Sequence, residues 1–133
     1  MTPRELMAEA EKARRSSYSP YSRFAVGAAL LTRSGRVVHG CNVENASFGL
    51  ACCAERTAVF KAVSEGERDF VAIAVTAGPR EGSSPCGACR QVMDEFAPRL
   101  TVYFRDARGR VVRRSLKTLL ADAFRLRRKV ARP

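Results

Sequence analysis

Two short motifs constrain this chain more than anything else in it: Cys53-Ala54-Glu55 and, some thirty residues on, Pro85-Cys86-Gly87-Ala88-Cys89. Three thiols and a carboxylate grouped this way suit zinc. A structural zinc takes four protein ligands, whereas a catalytic one keeps a position open. Cys53, Cys86 and Cys89 supply three ligands. Glu55 then stands beside the metal, where a general acid/base for a water would act. Cys53 and Cys86 each fall at a predicted helix N-terminus, where free backbone N–H groups and the helix dipole favour a thiolate. Cys89 lies one helical turn past Cys86, on the same side of its helix. Two helices must therefore meet, N-terminus to N-terminus, around one ion. Free cysteines are also common as small core residues, and C-x-x-C alone occurs in redox proteins. Pro85 before the pair and Cys-Ala-Glu upstream favour the metal.

Three thiolates on Zn²⁺ leave a net charge of −1, which makes the metal a poorer acid for water. Arg56 directly follows Glu55, and its guanidinium is placed to donate to the ligand sulfurs. The alternative for Arg56 is a surface ion pair. Cys41 and Cys52 are read as ordinary buried cysteines, since neighbours on a helix point about 100° apart and Cys52 cannot share the direction of Cys53.

The rest of the pattern gives a mixed sheet with helices on both faces. Thr2-Pro3-Arg4-Glu5 is a capping box that starts a helix running to about Arg15. Tyr18–Ser22 breaks it. Phe24–Leu31 reads as a buried strand, Ser34-Gly35 as a hairpin turn and Arg36–Cys41 as the returning strand. Asn42–Leu50 is a polar loop. Cys53–Ser64 reads as a helix, Phe70–Thr76 as an apolar strand, Ala77–Pro85 as a loop and Gly87–Phe96 as a second central helix. Leu100–Phe104 and Val111-Val112 are strands joined by a turn at 107–109, and Leu116–Arg125 is a last helix. Five strands and four helices in this order predict a three-layer α-β-α sandwich.

The 133 residues fit one domain, and 46% hydrophobic content is enough for a core. No apolar run approaches the ~18 residues of a membrane span. The charged N-terminal stretch has no signal-like apolar segment, and five cysteines fit a reducing compartment, so a cytoplasmic protein is expected. The net charge of +11 is uneven: residues 105–133 hold eleven Lys/Arg against two acidic residues. The Arg-rich end at 125–133 is read as a solvated basic tail rather than a nucleic-acid arm.

Four segments in order, Tyr18-Ser-Pro-Tyr-Ser-Arg-Phe-Ala-Val-Gly-Ala-Ala-Leu30, Gly40-Cys-Asn-Val-Glu-Asn-Ala-Ser47, Cys53-Ala-Glu-Arg-Thr-Ala58 and Ser84-Pro-Cys-Gly-Ala-Cys-Arg-Gln-Val92, resemble the cytidine deaminases in their small homotetrameric, three-cysteine form. The match spans roughly residues 3–124. It implies a cytidine deaminase-like fold, one Zn²⁺ per subunit, and zinc-dependent hydrolytic deamination of cytidine and 2′-deoxycytidine in pyrimidine salvage, with Glu55 as the proton carrier. By the same resemblance Phe24, Asn42 and Glu44 hold the nucleoside, the last two on the ribose hydroxyls. Ala54 contacts the base carbonyl through its backbone, and Ser84 offers its backbone carbonyl to the exocyclic amine. Phe48 and Phe124 reach a neighbouring subunit's site, where Phe124 stacks on the base. Read as residues alone, Asn42 is equally a loop cap, Glu44 a surface charge and Phe124 core packing. A carboxylate at Glu44 would repel a 3′-phosphate, which argues against polynucleotide substrates. The chain departs from the family at Ala121, where many members have Pro, at Phe48, where some have Tyr, and in its Arg-rich end. Rival readings are a nucleoside antibiotic or an RNA base as substrate, and a zinc-stabilised nucleic-acid-binding module, which gives Glu55 no purpose.

Overall fold

The computed structural model describes residues 1–126; the basic residues Arg127, Arg128, Lys129 and Arg132 of the expected tail lie outside them. Thr2 caps helix α1 (Pro3–Arg14) through the expected box: its hydroxyl accepts from the Glu5 N–H, and the Glu5 carboxylate accepts from the Thr2 N–H. Five strands follow, β1 (Gly27–Thr32), β2 (Val37–Cys41), β3 (Phe70–Thr76), β4 (Thr101–Arg105) and β5 (Val111–Ser115), with helices α2 (Ala54–Ser64), α3 (Gly87–Phe96) and α4 (Leu116–Leu119). The strands form one sheet in the order β2-β1-β3-β4-β5. Only the β3–β4 pair is parallel, so the sheet is mixed as expected.

Alternation along the central strands assigns the two faces. Ala28, Leu30, Ile73 and Val75 point to one side, where they bury Ala58, Val59 and Ala62 of α2 and Met93 of α3. Ala29, Ala72 and Ala74 point to the other, against Leu6, Met7 and Ala10 of α1. The small alanines on the α1 side let that helix lie close. On the opposite side Gly40 does the same for α2: a Cβ there would sit 2.4 Å from the Ala54 carbonyl oxygen and 2.5 Å from the Ala58 nitrogen. The first turn of α2, which carries Glu55, thus rests directly on β2.

Four boundaries differ from the sequence reading. The first strand begins at Gly27 and not at Phe24, because before it a single backbone bond, from the Asn42 N–H to the Val26 carbonyl, is left and side chains hold the rest. Asn42 Nδ2 donates to the Phe24 carbonyl, Arg14 Nε to the Ala25 carbonyl, and the Val26 N–H donates to Asn42 Oδ1. The 42–50 loop ends in a short 3-10 turn, Phe48–Leu50. The last strand runs to Ser115: Arg113 and Arg114 pair with Tyr103 and Val102 through the backbone, so their polarity does not end the ladder at this exposed edge. The last helix stops at Leu119 instead of Arg125, with Leu120 at φ −132° and Asp122 in the left-handed region at φ 50°. The Leu119 carbonyl, which a longer helix would give to the Ala123 N–H, accepts from Arg90 of α3 instead.

Candidate active site

The two central helices meet at their N-termini. Cys53 is the N-cap of α2 and Cys86 the N-cap of α3, both with extended backbone, and Cys89 lies in the first turn of α3. Capping positions fix side-chain direction, so all three sulfurs turn to one point. The Cys86 and Cys89 sulfurs are 3.5 Å apart and those of Cys53 and Cys86 4.0 Å, and all three lie within 4.8 Å of one another. A tetrahedral zinc with Zn–S bonds of about 2.3 Å requires sulfurs about 3.8 Å apart. The donor set fits zinc in both spacing and softness. Cys86 is exposed and Cys53 partly so, which leaves the fourth direction open to the cleft, while Cys89 is fully buried.

Arg56 Nη2 donates to the Cys53 sulfur at 3.3 Å. Cys53 has its thiol pulled down to about 5, by the Cys89 thiol hydrogen bond and then by Arg56, whereas Cys89 is pushed up by its bond to Cys53 and by burial. Arg56 Nε is buried with no hydrogen-bond partner among the described residues, and the bond that holds this guanidinium is the one from Nη2 to the Cys53 sulfur. Its charge opposes the excess of the three thiolates. Arg56→Gln is expected to weaken zinc binding by about tenfold to a hundredfold. Competition with a chromogenic chelator checks this, and unchanged zinc affinity would remove the role.

Glu55 is 4% exposed, and burial pushes its carboxyl up to about 7, with the Cys53 thiolate adding to the rise. A carboxyl poised near neutrality can both take and return a proton at physiological pH. It lines a cleft of about 290 Å³ together with Cys53 and Cys86. Phe24, Asn42, Glu44, Ala54 and Ser84 line the same cleft. Ala54 is the first residue of α2, so its N–H has no acceptor within the helix.

Glu44 and Asn42, which line the cleft, are held firmly. Glu44 Oε1 accepts from the Tyr21 and Ser22 N–H groups at 3.0 and 3.1 Å, and Oε2 accepts from the Ser22 hydroxyl. These bonds hold the carboxyl below its usual range, the Ser22 hydroxyl most of all. Asn42 is the loop cap that the residue alone suggested: its oxygen accepts from Ser17 and Val26, and one N–H goes to the Phe24 carbonyl. One amide N–H therefore remains for a ligand.

Phe48 and Phe124 do not reach this cleft within one chain. They are 77% and 68% exposed, and Phe48 stands edge-on to Tyr21 with ring centroids 6.0 Å apart. Cys41 and Cys52 are only half-buried, a correction to the expectation of full burial, because Cys41 ends an edge strand and Cys52 sits in the loop before α2. Neither belongs to the thiol cluster. Two site residues escaped sequence reasoning. Ser22 orients Glu44 and lines the cleft. Arg90 spans the metal-side loop, donating to the Pro85 carbonyl, the Ser84 hydroxyl and the Leu119 carbonyl at 2.8, 2.9 and 2.8 Å. Arg90 directly follows Cys89, but nothing in the sequence separates it from a surface arginine.

The zinc-binding region of cytidine and deoxycytidylate deaminases matches residues 1–105. A cytidine deaminase of Halalkalibacterium halodurans is 55% identical over 120 residues, covering 90% of this chain and 91% of that protein. A cytidine deaminase of Sporosarcina psychrophila is 49% identical over 125 residues, covering 93% and 92%. The crystal structure of cytidine deaminase from Burkholderia pseudomallei superposes with a TM-score of 0.88 at 52% identity, covering 93% of this chain and all of the other.

Proposed function

The chain belongs to the cytidine and deoxycytidylate deaminase family, and we propose that this zinc enzyme hydrolyses free cytidine to uridine and ammonia, and 2′-deoxycytidine to 2′-deoxyuridine. The observation that carries the reading is a buried, proton-holding Glu55 beside a three-thiol zinc site, in a cleft that also presents Asn42 and Glu44. Zinc held by Cys53, Cys86 and Cys89 supplies the Lewis acidity that makes water a nucleophile near neutral pH.

The chain's own residues do the rest. The remaining lone pair of Glu44 accepts from the ribose 3′-OH, and the free N–H of Asn42 donates to a ribose oxygen. The Ala54 N–H holds the base carbonyl, and the Ser84 carbonyl accepts from the exocyclic amine. Phe24 gives the sugar and ring an apolar wall. Glu55 takes a proton from water and delivers it to ring N3, so that C4 becomes electrophilic and accepts the hydroxyl. It then carries the second proton to the amine, which leaves as ammonia. The sum is cytidine plus water to uridine plus ammonia.

Homotetramer formation fits the two exposed aromatics, since Phe48 and Phe124 would then complete a neighbour's cleft and leave water. A cytoplasmic place fits the thiol ligands. Nucleic acid is excluded from the catalytic site by charge, because Glu44 faces the position of a 3′-phosphate. Glu44→Ala tests the ribose contact. Its kcat/KM for cytidine is expected to fall about a hundredfold, while that for 3′-deoxycytidine changes little. Equal losses on both nucleosides would contradict the contact.

A further inference from the structure

The outer side of α3 holds a carboxylate that the deamination does not use. Asp94 is buried, its side chain only 3% exposed. Both of its oxygens meet one guanidinium: Arg125 Nη2 lies 2.9 Å from Oδ1 and Nε 3.0 Å from Oδ2. A buried carboxylate is tolerated when a cation pairs with it in such a fork. Arg125 lies outside every helix and strand, one residue after Phe124.

Two more α3 side chains grip the same stretch. Gln91 Nε2 donates to the Phe124 carbonyl at 2.9 Å, and Arg90 Nη1 to the Leu119 carbonyl at 2.8 Å. Helix α3 therefore carries two zinc ligands at its start and three grips on the C-terminal stretch along its length. The stretch itself supplies little order, with Leu120 and Asp122 both out of helical geometry. Nor does the Phe124 ring anchor it, since the ring is 68% exposed. What holds this part of the chain in place is the Phe124 carbonyl, which accepts from Gln91, and the neighbouring Arg125 guanidinium, which is forked onto Asp94.

We propose that Asp94 and Arg125 form a latch that positions Phe124 relative to the zinc-bearing helix, so that closure of the nucleoside cleft of a neighbouring copy of this chain depends on this ion pair. The latch rests on the reading of Phe124 given above. Asp94 and Arg125 are positioning residues and touch no reacting atom. A misdirected aromatic wall loosens binding while leaving the proton carrier intact, so the effect falls on KM more than on kcat.

The test uses the full-length zinc enzyme with cytidine as substrate, and reads amide hydrogen exchange over residues 120–126, KM, kcat, zinc content and Tm. Arg125→Gln is expected to speed exchange over 120–126, raise KM about tenfold, keep kcat within about threefold and keep its zinc. It also lowers Tm, because Asp94 is left charged and alone. Adding Asp94→Asn removes that buried charge, so the double variant is expected to regain Tm while KM stays raised. Arg125→Lys, which cannot make the fork, falls between. Unchanged exchange in Arg125→Gln overturns the latch. Faster exchange with KM within twofold of the parent, or a KM that recovers with Tm in the double variant, overturns its part in closing the cleft. Phe124→Ala is the control for the underlying reading: a normal KM there removes the role of the ring but leaves the exchange result standing.

Discussion

Glu55→Gln is expected to bind one zinc per chain, keep its fold and lose turnover of cytidine by about a thousandfold or more. The substitution preserves volume in a position only 4% exposed, so neither the α2 turn nor the packing on Gly40 changes. What disappears is the capacity to hold a proton. An amide can hydrogen-bond to water or to the base, but it cannot take a proton from one and deliver it to the other. Burial holds the native carboxyl near 7, the value at which both transfers are feasible at neutral pH. Zinc analysis together with steady-state rates checks the point. A variant with zinc bound and activity within tenfold of the parent would sink the proton-carrier role.

Cys86→Ala is expected to lose zinc together with all measurable turnover. Among the three ligands it gives the cleanest test. Cys89 is fully buried in the core, so its removal mixes a cavity with a lost ligand, and Cys53 also binds Arg56. Cys86 is exposed and caps α3, accepting from the Cys89 N–H at 3.5 Å. Removing a cap of this kind costs about 1 kcal/mol, too little to unfold the chain by itself. Two thiolates remain, too few for tight tetrahedral binding. Zinc measured after gel filtration is expected well below one per chain, with native-like secondary structure by circular dichroism. Full zinc occupancy in that variant would mean that the three-thiol set has been misassigned.

The three-thiol cluster and the carboxylate beside it were legible because a zinc site demands fixed residue types at fixed spacing, and helix N-termini tell where the sulfurs point. The sheet was legible for a related reason: Ala28 to Leu31 and Phe70 to Thr76 alternate between two apolar faces, which few other arrangements accommodate. What the sequence hid depends on contacts between side chains and distant backbone. Arg14, Asn42 and Arg90 all donate to carbonyls outside their own elements, and those bonds decide where β1 begins and how the metal-side loop lies. The early end of α4 belongs to the same class. Its residues suit a helix, but Arg90 takes the Leu119 carbonyl that the next turn would use. Position along the chain carries no trace of such pairings. The family resemblance brought Phe24, Glu44 and Ser84 forward as candidates, and the fold puts all three at the cleft that Glu55 lines.

The most direct measurement is the loss of cytidine absorbance on adding purified protein, first as isolated, then after zinc is stripped by a chelator, then after zinc is restored. The expected result is conversion to uridine with one ammonia released per nucleoside, abolished by stripping and recovered with zinc. A folded, zinc-loaded protein that leaves cytidine unchanged would contradict the account.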